Sequence, residues 1–81
     1  MTITSDLSRV QSFGVEASFV ANLIMTRHRK PTKKMRGLLR LLELGRSVRV
    51  APFDADSLFV DGFKVAWEDL EAGERLARRL P

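Results

Sequence analysis

Nine of the fourteen Lys and Arg lie between Arg27 and Arg49, in the run R-H-R-K-P-T-K-K-M-R-G-L-L-R-L-L-E-L-G-R-S-V-R, with Glu43 the one acid among them. Cations at that density suit contact with phosphate or with a carboxylate-rich surface, because ordinary protein surfaces mix the two signs. The flanks have the opposite balance: formal charge is −1 over residues 1–26, +8 over 27–49 and −3 over 50–81, for a net +4.

Other residues offer less chemistry. The chain has one histidine, no cysteine and no tyrosine. His28 is flanked by Arg27 and Arg29, and neighbouring positive charge opposes its protonation. No partner that would make it a general base is evident in the sequence. Asp54, Asp56 and Asp61 match no calcium-loop spacing, and the Asp61-Gly62 pair reads as a hairpin turn. Gly37 and Gly45 fit no nucleotide fingerprint. The expectation is a non-enzymatic protein without metal or cofactor.

Eighty-one residues, 44% hydrophobic and 30% charged, read as one small domain, 1–81. Without cysteine, packing or self-association must supply the stability. No apolar run approaches the roughly 18 residues that a membrane span needs. The first residues carry no basic and apolar signal-peptide pattern. A cytoplasmic protein with no membrane partner is expected.

The elements that would position the cations follow from periodicity. Thr4, Ser5 and Asp6 are N-cap candidates for a short first helix, closed by Gly14. From Val15 to about His28, Val15, Phe19 and Leu23 form one i, i+4 row and Val20 and Ile24 the next, which predicts a core helix with a wide apolar stripe. Lys30 precedes a proline and breaks the helix. Thr32 is the expected cap of a third helix, Lys33 to Leu44, stopped by Gly45. A wheel groups Met35, Leu38, Leu39 and Leu42 on one side, with Lys33, Arg36, Gly37 and Arg40 opposite. Leu41 and Leu44 then lie off the core side, for burial either in a homodimer or under the C-terminal helix.

After Gly45 the period becomes two. Ser47–Ala51 reads as a strand, and Leu58–Val60 with Phe63–Val65 as a hairpin around Asp61-Gly62. That turn pairs Val60 with Phe63, Phe59 with Lys64 and Leu58 with Val65. Leu58, Val60, Phe63 and Val65 would face the helices. Trp67 to Leu80 reads as a final helix, its acids early and its bases late in accord with the dipole. The fold class expected is α+β: three N-terminal helices, a small antiparallel β-sheet and one C-terminal helix.

A short-linked helix pair with a basic second helix, followed by a strand and a hairpin, resembles the helix-turn-helix with the wing of a winged-helix domain, in element order alone and over roughly residues 15–65. The resemblance implies DNA binding by the third helix. The proline in the break and the acidic hairpin tip depart from that pattern.

The function expected is nucleic-acid binding, with a regulatory role, through Arg27, Arg29, Lys30, Lys33, Lys34, Arg36 and Arg40. Gly37 would let a backbone approach beside Arg40. The alternative is a protein-binding inhibitor or adaptor that docks the same basic face on an acidic partner, with Phe59 and Lys64 as further contacts. Phe13, Phe19, Phe53, Phe63 and Trp67 are expected in the core, leaving Phe59 as the aromatic available to a partner.

Overall fold

The computed structural model describes residues 3–81. Its elements are α1 (Ile3–Gln11), α2 (Val15–Arg27), α3 (Pro31–Glu43), β1 (Val48–Val50), β2 (Ser57–Val60), β3 (Phe63–Ala66), a 3-10 segment (Trp67–Ala72) and α4 (Glu74–Arg79). The class is α+β, as expected. The strands form one antiparallel sheet in the order β1-β2-β3.

The helix ends follow local chemistry, with two corrections. Thr4, Ser5 and Asp6 lie inside α1, which already runs from Ile3, and any cap before it lies outside the described residues. At α3 the proline takes the first helical position and Lys30 the cap position, rather than Thr32. A proline lacks only an N–H that the first turn leaves unpaired, so it fits there at no loss. Gly45 stops α3 as expected. With φ 84° it donates its N–H to Leu42 (3.0 Å), while Arg46 N–H reaches back to Leu41 (2.9 Å). That pair of bonds is the Schellman closure, which satisfies carbonyls at the end of a helix.

The hairpin has the expected register, with Val60 opposite Phe63, Phe59 opposite Lys64 and Leu58 opposite Val65. Both turn residues have positive φ, Asp61 51° and Gly62 84°, the signature of a tight turn that follows the strand twist. The Asp61 carboxylate accepts from Ser47 N–H and from Arg46 Nη1, both at 2.8 Å. Arg46 also donates to the carbonyls of Ala77 (2.8 Å) and Pro81 (3.1 Å), so one guanidinium joins the hairpin tip to the end of α4.

The last segment is not one helix. It turns at Gly73 (φ 53°) from a 3-10 segment into α4. The break follows from packing. Gly37 on α3 lies under the 3-10 segment, and a Cβ there would overlap the Leu70 carbonyl. Gly73 sits over the same spot, its own Cβ position 3.5 Å from Gly37 Cα. The backbone thus comes down onto α3 at a pair of glycines. Leu41 lies on this side of α3 too and is fully buried, which corrects its placement outside the core.

The core gathers Val10, Val20, Ile24, Met35, Leu38, Leu41, Leu58, Val60 and Leu70. It holds Trp67 but not the other aromatics expected there. Phe13, Phe19, Phe53 and Phe63 are all substantially exposed. On α2 the inward ridge is Ala17, Val20, Ala21 and Ile24. At 100° per residue Val15 falls on the opposite side from Ile24, and Phe19 only one step nearer. The small alanines let α2 approach its neighbours, and the larger side chains are left on the solvent side. No helix of the described residues is long and apolar enough to cross a membrane.

Candidate nucleic-acid interface

The turn between α2 and α3 and the first turns of α3 bring the seven expected cations into one region, but not in one state. Lys34 is largely buried and donates to Glu71 at 2.9 Å. Arg36 Nε lies 3.5 Å from the carboxylate of Asp6, which is fully buried. Arg40 reaches Glu74 at 3.4 Å. Arg27, Arg29, Lys30 and Lys33 are exposed and form no salt bridge among the described residues, although Glu71 feels the charge of Lys33. The ridge expected over residues 27–40 is therefore half neutralised by the protein's own acids.

Arg29, Lys30 and Lys33 line an open depression together with Lys34 and Arg36, and Glu71 is the one acid in its wall. The start of α3 lies in the same place and has no side-chain cap. No acid stands in its first turn. Positive side chains around the positive end of a helix dipole oppose helix formation, and an anion there relieves both.

α3 is flanked on both sides. α1 flanks it on one side, through Asp6–Arg36 and Arg9–Glu43 (2.6 Å). The 3-10 segment and α4 flank it on the other, through Lys34–Glu71 and Arg40–Glu74. Its exposed residues, Thr32, Lys33, Arg36, Arg40, Glu43 and Leu44, make a narrow stripe between these walls. Gly37 admits a backbone, as expected, but the backbone is that of Leu70 in the same chain. The resemblance to a helix-turn-helix thus stays one of element order.

His28 sits against Trp67, ring centroids 5.4 Å apart, and its Nε2 is buried without a hydrogen-bond partner. Burial is the first cause that pushes its pKa down, and the Lys34 charge is the next. Trp67 Nε1 donates to the Ala55 carbonyl at 3.0 Å. His28 thus packs on Trp67, and among the described residues no carboxylate or hydroxyl is hydrogen-bonded to its buried Nε2.

The other expected contacts shift as well. Phe59 is half-buried on the outer sheet face, between its cross-strand neighbours Arg49 and Lys64. Lys64 pairs with Asp54 at 2.7 Å. Asp54 also accepts from Asp56 N–H (2.9 Å) and Ser57 Oγ (3.0 Å), and these bonds, Lys64 foremost, hold its pKa at about 2. Asp54 organises the β1–β2 loop, and no group of acids or histidine among the described residues could hold a metal.

Three features of this surface were missed from the sequence: the open rings of Phe19 and Phe53, and the exposed Arg49, which has no acidic partner among the described residues. Two signals were available. The i, i+4 alanines Ala17 and Ala21 mark the contact side of α2, and Pro52 and Asp54 on either side of Phe53 mark a turn with nowhere to bury a ring. No family model, curated protein or solved structure matches the chain.

Proposed function

We propose that the protein is a non-enzymatic nucleic-acid-binding module that grips phosphate at the junction of α2 and α3. The observation that carries this is the contrast within the basic stretch. Lys34, Arg36 and Arg40 have acids of their own, whereas Arg27, Arg29, Lys30 and Lys33 stand exposed beside an uncapped helix start. Like charges in excess of their counter-charge, here Glu71 alone, raise the free energy of the folded chain, and a phosphate backbone removes that repulsion. A cytoplasmic regulatory role belongs to the same reading.

The contact count sets the expected salt dependence. Four phosphate contacts give a log–log slope of affinity against salt of about −3.6 on duplex DNA and about −2.8 on a single strand. The paired cations add to this only if they leave their acids. Titration of labelled oligonucleotides between about 50 and 200 mM salt measures the slope. Replacing Arg27, Arg29, Lys30 and Lys33 together by glutamine should abolish binding with the fold intact, since all four are exposed. No binding of any nucleic acid at about 50 mM salt overturns the proposal. A stoichiometric protein complex that survives nuclease and is lost in the same quadruple variant would instead assign these cations to an acidic protein partner.

A further inference from the structure

We infer that the nucleic acid is a single strand, and that from the basic turn it continues along a groove between α2 and β1, with bases stacked on Phe53 and Phe19. This rests on the nucleic-acid reading above and names the kind of strand.

Three open depressions follow the β1 side of α2. The first is lined by Phe13, Glu16, Val48 and Arg49, the second by Glu16, Phe19, Leu23 and Val50, and the third by Leu23, Val50, Phe53 and Arg27. Shared walls, Glu16 at one junction and Leu23 with Val50 at the other, make them one groove. It ends at Arg27, where the basic turn begins.

The groove combines what single-strand binding requires: flat apolar rings open to solvent, next to cations. Phe53 is 101% exposed, Phe19 56% and Phe13 48%. Phe53 is not on a slack loop. Asp54 ties the loop to Asp56, Ser57 and Lys64, and Trp67 ties it at Ala55. A ring held fully in water by a loop so well bonded is placed for a flat partner.

Charge and the exposure of base faces select among occupants. Arg27 and Arg49 are free of acids, Asp54 is already bound by Lys64, and Glu16 is the one wall acid without a cation of its own. The balance favours a polyanion. A second copy of the chain fits poorly. It would set the same cations, Arg27 and Arg49, against a chain that itself carries a net charge of +4. A duplex fits poorly too, because its bases are stacked on one another and offer no open faces to the rings.

The test is fluorescence anisotropy with labelled dT12 and a labelled 12-base-pair duplex in the same buffer, using the wild type, Phe53→Ala, Phe19→Ala and Phe53→Trp. The expected result is tighter binding of dT12 than of duplex. Each alanine should weaken dT12 about fivefold or more and leave the duplex unchanged, while Phe53→Trp keeps binding and is quenched by the bases. Equal or tighter duplex binding, insensitive to both alanines, overturns the single-strand inference and leaves the basic turn standing. Binding of neither oligonucleotide removes both readings. A sedimenting dimer that Phe53→Ala converts to monomer assigns the groove to a second copy and overturns the inference.

Discussion

The carbonyl oxygen of Leu70 occupies the space where a side chain on Gly37 would begin. Two lengths of backbone meet there without side chains between them, which brings the 3-10 segment onto α3. Gly37→Ala must push the two apart. It should destabilise the fold by at least about 3 kcal/mol in urea unfolding, at the upper end of overpacking effects because the obstacle is backbone. Gly73→Ala is the milder change. It places Cβ 3.5 Å from Gly37 Cα, an ordinary contact, but with ψ −111° beside φ 53° the backbone lies in a region nearly reserved for glycine, so a loss of about 2–3 kcal/mol is expected.

Asp6 and Arg36 should respond unequally to mutation. The acid is fully buried with no hydrogen bond to either oxygen, while the arginine is about half exposed. Arg36→Ala strands a buried carboxylate and should lower stability by about 1–3 kcal/mol. Asp6→Leu removes that carboxylate and leaves a cation with access to water, so stability should hold or rise. Asp6→Leu also frees Arg36. The salt slope of nucleic-acid binding should then steepen by nearly one unit. Chemical denaturation and the oligonucleotide titration check the two halves.

Acid should weaken the fold in two stages. His28 is pushed below its ordinary range, chiefly by burial, so the unfolded chain takes up its proton first. Stability should start to fall as pH drops through about 6.5. Asp54, Asp61 and Glu71 are all depressed, by hydrogen bonds from Lys64, Arg46 and Lys34 respectively. Their contribution is present above about pH 4 and is lost as pH falls towards each folded value, about 2 for Asp54. Urea midpoints measured from pH 7 to pH 2 should show both stages, and His28→Gln should remove the first.

The turn at Asp61 offers a separate test. Asp61→Ala keeps the strands but loses the bonds from Ser47 and Arg46 and puts alanine at φ 51°. A loss of about 2–3 kcal/mol is expected. Asp61→Asn, which tolerates that φ and keeps an acceptor, should lose less.

Legibility in the sequence tracked how local the controlling interaction is. The Asp61-Gly62 pair set the hairpin register, and Gly45 set the end of α3, because both depend on residues within a few positions. The acids that neutralise Arg36, Lys34 and Arg40 come from α1 and the last segment, distant in the chain, and no pattern near the cations announces them. Helical periodicity said which α2 residues share a side but not how much of that side a small protein can cover. Ala17 and Ala21 took the contact, and Phe19 was left in water. Trp67 was placed correctly because its neighbours in the 3-10 segment are anchored by Leu70 as well.

The Arg46 guanidinium binds the hairpin tip, the end of α4 and the last residue at once. Those points lie 15, 31 and 35 residues from Arg46 along the chain, and closing such loops costs entropy before the contacts repay it, so the clamp is expected to form late. Its removal in Arg46→Ala should therefore leave the refolding rate nearly unchanged and quicken unfolding. That side chain would then lengthen the life of the native state without hastening its formation.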